Sequence, residues 1–289
     1  MIGRHQSSAY VMIVFFGFNF FMPNMFLIAS RVLLIFLLGH ACLASAITPN
    51  VASLSICNKQ LVTESKTSFY DKSRHRLIPV VVYSRCVLEN QLKTGAFKAP
   101  VVIINHGYTA KNTEYSFLAK ALATKGYFVV SIQHELAGDP PLAQTGNLYE
   151  RRKPVWDNGV KNIRFVIQRL HALRSDLDLK KVMLIGHSNG GDMIMLFATQ
   201  YPHSVSALID LDSLRMPFPR TGSFPILTIR ANDTKADEGV LPPQEELVKD
   251  NITVVEMRQA KHIDLCDRGS LSIKKKINQV ILIFINQHK

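Results

Sequence analysis

The sequence predicts an α/β domain built on a doubly wound, mostly parallel sheet of about eight strands with helices on both faces. Three observations carry that expectation. Short apolar runs alternate along the chain with segments of helical period. Several of the runs are apolar throughout rather than at every second residue, as in strands covered on both faces. The 289 residues, 47% of them hydrophobic, suffice for one large core, and beyond Val51 no repeat, low-complexity tract or linker divides the chain.

The first 46 residues are set apart. They contain Arg4 and Arg31, no acidic residue, and long apolar runs ending in Ala44-Ser45-Ala46, which puts small residues at the two positions a signal peptidase reads. We expect a targeting segment cleaved after Ala46, with Met25 as an alternative start that would give a leader of ordinary length. The competing expectation is an uncleaved anchor spanning Val11 to Ile28. Export to a periplasmic or extracellular compartment follows from the first, and residues 47–289 then form the folded domain. Of the cysteines beyond the leader, Cys57 and Cys86 could bridge and leave Cys266 free, or all three could be buried thiols.

Strands are expected at Leu77–Ser84, Pro100–His106, Tyr127–Gln133, Lys181–His187, Val205–Asp212, Pro225–Ala231 and Ile252–Arg258. "EYSFLAKALATKG" and "GVKNIRFVIQRLHAL" repeat apolar residues at three and four and read as helices, as does "GGDMIMLFATQY", which Pro202 ends. His134 to Gly159 reads as a loop rich in proline and glycine, with Tyr149 and Trp156 either lining a substrate pocket or packing beneath it. The formal charge is +12 and the pI about 9.6. The basic residues are scattered, however, and no stripe interleaved with aromatics emerges, so solvated faces are expected and a nucleic-acid partner is not.

The chemistry centres on "GHSNG". Ser188 lies between an apolar strand and a helix, and Gly186 and Gly190 lack the Cβ atoms that would hold strand and helix apart. The helix N-terminus, with its free N–H groups and positive dipole end, then faces the serine hydroxyl. A nucleophilic serine needs a base, an orienting acid and oxyanion donors. His262, on the loop after the last strand, is the base candidate, and His187 reads as structural. Asp233, after the penultimate strand, is the first candidate for the acid, with Asp212 and Asp237 as alternatives. In "NHGYTA", Gly107 lets the backbone N–H of Tyr108 face the nucleophile, and Asn189 supplies the second donor.

Taken together these motifs resemble the α/β-hydrolases, in the branch of dienelactone hydrolases, platelet-activating-factor acetylhydrolases and cutinase-like polyester hydrolases, over Arg76 to Asp267. "GHSNGG" is similar to the elbow of all three groups and "NHGYTA" to the oxyanion loop of the cutinase-like enzymes. "RAND" resembles the acid-bearing loop of the cutinase-like enzymes, whereas "LDSLRMPFP" resembles that of the acetylhydrolases, which keeps Asp212 in play. The resemblance implies two-step acyl transfer on a small or lipid-like ester, without metal or organic cofactor. Hydrolysis of an amide, thioester or lactone on the same triad, or a catalytically silent binding protein on this fold, are the alternatives. If the leader is removed as expected, N-terminal sequencing of the exported protein begins at Ile47; recovery of the intact leader in a membrane fraction would contradict it.

Overall fold

The computed structural model describes residues 61–288 except 94 and 96. The leader, its cleavage position and Cys57 lie outside the described residues. Cys86 is disulfide-bonded, and Cys266 is a free, buried thiol.

Eight strands form one sheet in the order β1-β2-β4-β3-β5-β6-β7-β8. β1 (Val62–Asp71) and β2 (Arg76–Arg85) make an antiparallel hairpin, and β2 also pairs antiparallel with β4 (Phe128–Ile132). β3 (Ala99–Asn105), β5 (Leu177–His187), β6 (Val205–Leu211), β7 (Ile226–Arg230) and β8 (Ile252–Glu256) continue the sheet from β4 in parallel. All seven expected strands are present. The eighth, β1, is the polar run "VTESKTSFYD", exposed along most of its length, so no apolar face marks it in the sequence. Its Glu64 and Lys66 suit an edge, where charge discourages pairing with another chain.

Helices cover both faces, which explains the uninterrupted apolar strands. Along β3, Val101 and Ile103 pack with α1 (Cys86–Leu92), α3 (Leu148–Leu173) and α4 (Asn189–Gln200), while Val102 and Ile104 pack with α2 (Ser116–Thr124) and α6 (Leu271–Gln287). Alternate side chains of one strand therefore enter different cores, and both must be apolar. A sixth, short helix, α5 (Gln244–Lys249), precedes β8.

One expectation needs correction. The segment His134 to Gly159 is a loop only as far as Asn147, because α3 begins at Leu148 and carries Pro154 within it. The Asn147 side chain accepts the Glu150 N–H, and Lys153 and Asp157 pair at 2.9 Å one turn apart, so local capping and an i,i+4 ion pair sustain the first turns despite the proline. A few of the scattered basic residues nevertheless share one exposed face. Lys72, Lys161, Arg164 and Arg169 line one groove together with Tyr70 and Tyr201.

Backbones approach closely at the turn from β5 into α4. A Cβ on Gly190 would lie 2.3 Å from the Asn105 carbonyl oxygen, and one on Gly186 would lie 2.4 Å from the Gly190 carbonyl oxygen. Both obstacles are backbone and cannot rotate away. We therefore expect Gly190→Ala to cost several kcal/mol or to prevent folding. Gly239→Ala, at φ +78° but with open space around it, should cost only about 1–2 kcal/mol for the left-handed backbone. Denaturant midpoints of the two variants test the contrast.

Candidate active site

Ser188 is the first residue beyond β5 and the N-cap of α4, with φ 53° and ψ −119°. A non-glycine residue there is strained by about 1–3 kcal/mol and persists only where its surroundings enforce it. The enforcement is visible. The Ser188 N–H donates to the Leu211 carbonyl at the end of β6 (3.0 Å), and the Ser188 carbonyl accepts the Asp192 N–H that starts α4 (3.0 Å). Thr109 (φ 65°) and Asp212 (φ 61°) share the left-handed backbone, so three of the loops at the carboxyl edge of the sheet carry this strain.

The loop after β3 lies against Ser188. A Cβ placed on Gly107 would sit 3.3 Å from the Ser188 Cβ, which brings the 107–108 backbone alongside the serine. Among the described residues, the N–H groups of Tyr108 and Asn189 take no part in the turn and loop hydrogen bonds around them. Asn189 is itself fixed through its side chain, whose Oδ1 accepts from the fully buried Trp156 Nε1 at 2.8 Å. Trp156 stands edge-on to Tyr149; it packs beneath the site rather than lining a pocket.

His262 follows β8 in a short 3-10 turn. Its Nδ1 lies 2.6 Å from Asp212 Oδ2, with the imidazole side chain 23% exposed and the Asp212 side chain fully buried. The imidazole is thus partly open to solvent while the carboxylate is shielded from water. Asp233 does not occupy the expected place, since its Oδ1 accepts the backbone N–H of His262 at 2.7 Å. The carboxylate on the ring is that of Asp212. The physical reason is the strand order: β6 lies directly beside β5, so a residue at the end of β6 reaches under the imidazole, whereas Asp233 lies beyond the next strand, β7, on a loop that reaches only the His262 peptide. Asp237 lies 3.7 Å from Arg215 and takes no part in this pair.

Asp212 is fully engaged. Its Oδ1 accepts from Arg230 Nη2 at 2.9 Å and from the Ala231 N–H at 3.2 Å, and its Oδ2 accepts from the Thr234 hydroxyl and faces His262. Burial works to raise its pKa, but the hydrogen bond from His262 and the charge of Arg230 hold the carboxyl below its ordinary value. Neither Arg230 nor Thr234 was singled out in the sequence. Arg230 had a signal, a charge within the apolar run "PILTIRA" that must find a partner if buried.

His187 is structural, as its position beside the serine suggested. Its Nδ1 is 2.8 Å from the Tyr115 hydroxyl and its Nε2 3.0 Å from the His262 carbonyl. The Tyr115 oxygen also accepts the Gly107 N–H at 3.0 Å. One consistent set of protons runs through these groups, with Gly107 donating to Tyr115, Tyr115 to His187 Nδ1, and His187 Nε2 to His262. Burial, and then the charge of His262, push the His187 pKa down to about 3, so the ring is neutral and can both accept and donate. This chain pins the loop at Gly107 and the loop at His262 to the turn from β5 into α4.

A cavity of about 340 Å³ adjoins Tyr108. Pro141, Leu142, Val155 and Met193 contribute apolar walls, with Arg76 and Glu135 at its polar side. The loop before α3 closes over it and is tied down, because the Tyr108 hydroxyl accepts the Leu142 N–H (3.2 Å), Glu135 Oε2 accepts the Thr109 N–H (3.0 Å), and Arg76 forks onto Asp139 (2.8 and 2.6 Å). Among the described residues no group of three or more His, Cys, Asp or Glu side chains is placed to hold a metal ion.

Comparison with known proteins bears on the fold. A family model described as serine aminopeptidase, S33, matches residues 98–211. Platelet-activating factor acetylhydrolase of Cavia porcellus is 28% identical over 203 residues, 54% of this chain and 46% of that protein. The sn-1-specific diacylglycerol lipase ABHD11 of Mus musculus is 29% identical over 126 residues, 43% of this chain and 36% of that protein, so the chain spans half or less of the length of these curated relatives. Among solved structures, a ferulic acid esterase from Streptomyces cinnamoneus superposes with a TM-score of 0.57 at 17% identity, covering 80% of this chain and 91% of the other. Sheet order and the likeness to solved structures together give the chain the α/β-hydrolase fold.

Proposed function

We propose that the protein is a serine hydrolase of carboxylic esters, with Ser188 as nucleophile, His262 as general base and Asp212 as the acid that orients it. The observation that carries this reading is the 2.6 Å contact between His262 Nδ1 and a buried carboxylate on the loop that follows the strand next to the serine's own. Ser188 Oγ attacks the ester carbonyl and passes its proton to His262 Nε2. Asp212 accepts a hydrogen bond from Nδ1–H throughout, which fixes the tautomer and stabilises the imidazolium. The Tyr108 and Asn189 N–H groups receive the oxyanion, each contributing about 3 kcal/mol to the transition state. His262 returns its proton to the departing alcohol, leaving an acyl-enzyme. Water activated by the same imidazole then releases the acid and frees Ser188.

Ester substrates are supported by the names of relatives, which include an acetylhydrolase, a lipase and an esterase, whereas the matching family model is described as an aminopeptidase, so amides are the comparison to test. The cavity beside Tyr108, partly apolar and of about 340 Å³, suits a small or lipid-like acyl group. Export into an oxidising compartment is part of the same proposal; the disulfide at Cys86 fits it, since such bonds persist there.

A graded series of p-nitrophenyl esters, with the matching anilides as the amide comparison, tests the substrate class; turnover confined to the anilides would overturn the ester reading. A fluorophosphonate probe should label the wild-type protein and not Ser188→Ala, and that variant should lose at least about 10⁴-fold in kcat. Asp212→Asn should lose about 10³- to 10⁴-fold while remaining folded. Asp233→Asn, which touches only the His262 peptide, should lose less than about tenfold for the hydrogen bond it weakens. The reverse ranking would return the acid's role to Asp233.

A further inference from the structure

The charges buried beside the site do not cancel in pairs. Arg230, at the end of β7, lies between two carboxylates. Its Nη1 reaches Asp210 Oδ2 at 3.2 Å and the Ser213 carbonyl at 2.8 Å, while its Nη2 reaches Asp212 Oδ1 at 2.9 Å. Both carboxylate side chains are fully buried and that of Arg230 is 10% exposed. One guanidinium against two carboxylates leaves one net negative charge, and Asp212 is the member of the trio that faces the imidazole.

We propose that Arg230 is a positioning residue: by dividing one positive charge between Asp210 and Asp212 it holds the Asp212 carboxylate ionised and aimed at His262, and it sets the pH range over which that imidazole serves as base. The inference rests on the reading of Ser188, His262 and Asp212 as the reacting set. A carboxylate with donors on both oxygens cannot swing away from the ring and has no empty site for the proton that His262 must keep. Asp210 is the counterweight. The Thr228 hydroxyl (2.7 Å) and the Ser213 N–H (3.0 Å) hold it in place, so it draws on Arg230 without reaching His262. The more of the guanidinium's field Asp210 takes up, the less reaches the imidazole.

The other charges nearby do not duplicate this role. His187, whose ring centroid is 4.8 Å from that of His262, is neutral. Asp233 faces the His262 peptide. Asp192 is occupied by the N–H groups of Arg215 and Met216 (3.0 and 2.9 Å), and the Arg215 side chain faces Asp237. On the outer side of Arg230, Glu256 and Arg258 are highly exposed and lie 3.6 Å apart, and Lys235 stands at the same rim; water screens all three.

The test is the pH profile of kcat/KM for a soluble p-nitrophenyl ester, with fluorophosphonate labelling of Ser188 measured in parallel. Removing the positive charge lets His262 hold its proton to higher pH, so Arg230→Gln should move the acid limb up by about one pH unit and lower kcat roughly tenfold. Removing the competing negative charge does the reverse, so Asp210→Asn, which keeps shape and an acceptor, should move the limb down. Arg230→Lys should bring the limb back toward the wild-type position. Opposite shifts support the proposal, because a merely structural role would weaken both variants without separating their profiles. Shifts in the same direction, or unmoved limbs with Ser188 still labelled, would overturn it. Should Arg230→Gln fail to fold, the direction of the Asp210→Asn shift decides alone. Absence of labelling in the wild-type protein would instead remove the reading beneath it, and this inference with that.

Discussion

The site depends on how closely two backbones approach each other where β5 turns into α4. Only Gly186 and Gly190 allow that approach, since a Cβ on either would lie within 2.4 Å of a carbonyl oxygen. With the helix pressed onto the strand ends, the single residue between them must take a left-handed conformation, and that residue is Ser188. Strain at one position thus follows from packing over the whole sheet, which holds far more free energy than the few kcal/mol the strained residue costs. The same packing fixes where the first N–H groups of α4 point, so nucleophile and one oxyanion donor are set by one constraint.

The loops around the elbow are held to it by buried polar groups rather than by apolar contacts alone. Tyr115 and His187 join the oxyanion loop to the base loop. The Asp192 carboxyl, which burial pushes up to about 7, accepts the two N–H groups that anchor the segment after Asp212. Such networks are costly to leave incomplete in a low-dielectric interior, which makes them specific: a shifted loop would strand a buried donor or acceptor. Catalytic geometry on loops becomes as well determined as geometry on strands.

Charge in this molecule has two regimes. Around Asp212 it is buried, counted in single residues and decided by Arg230, Asp210 and His262. On the outer face of α3 it is solvated and cumulative, with Lys161, Arg164 and Arg169 on one side of the groove and Lys72 on the other.

Seven of the eight strands, the helices α2 and α4 and most of α3, and Ser188, His262, Tyr108 and Asn189 as candidates could be read from the sequence, because each rests on local rules: apolar runs for strands buried on two faces, period for helices, glycines flanking a serine for a sharp turn. The edge strand β1 could not, because its polar residues have no core face to betray it, nor could the first turns of α3, where capping by Asn147 outweighs Pro154. The identity of the acid was beyond the sequence for a different reason. Asp212 and Asp233 both follow strands that end at the same edge, and spacing along the chain does not say which strand lies beside the nucleophile. Strand order does, and it is set by the packing of residues far apart in sequence. The sequence by itself determined that a serine would be presented at the carboxyl edge of a parallel sheet, because turn geometry is local. Which carboxylate reaches the imidazole, and which arginine shares its charge, only the tertiary structure decided, because electrostatic partners are chosen by distance in space.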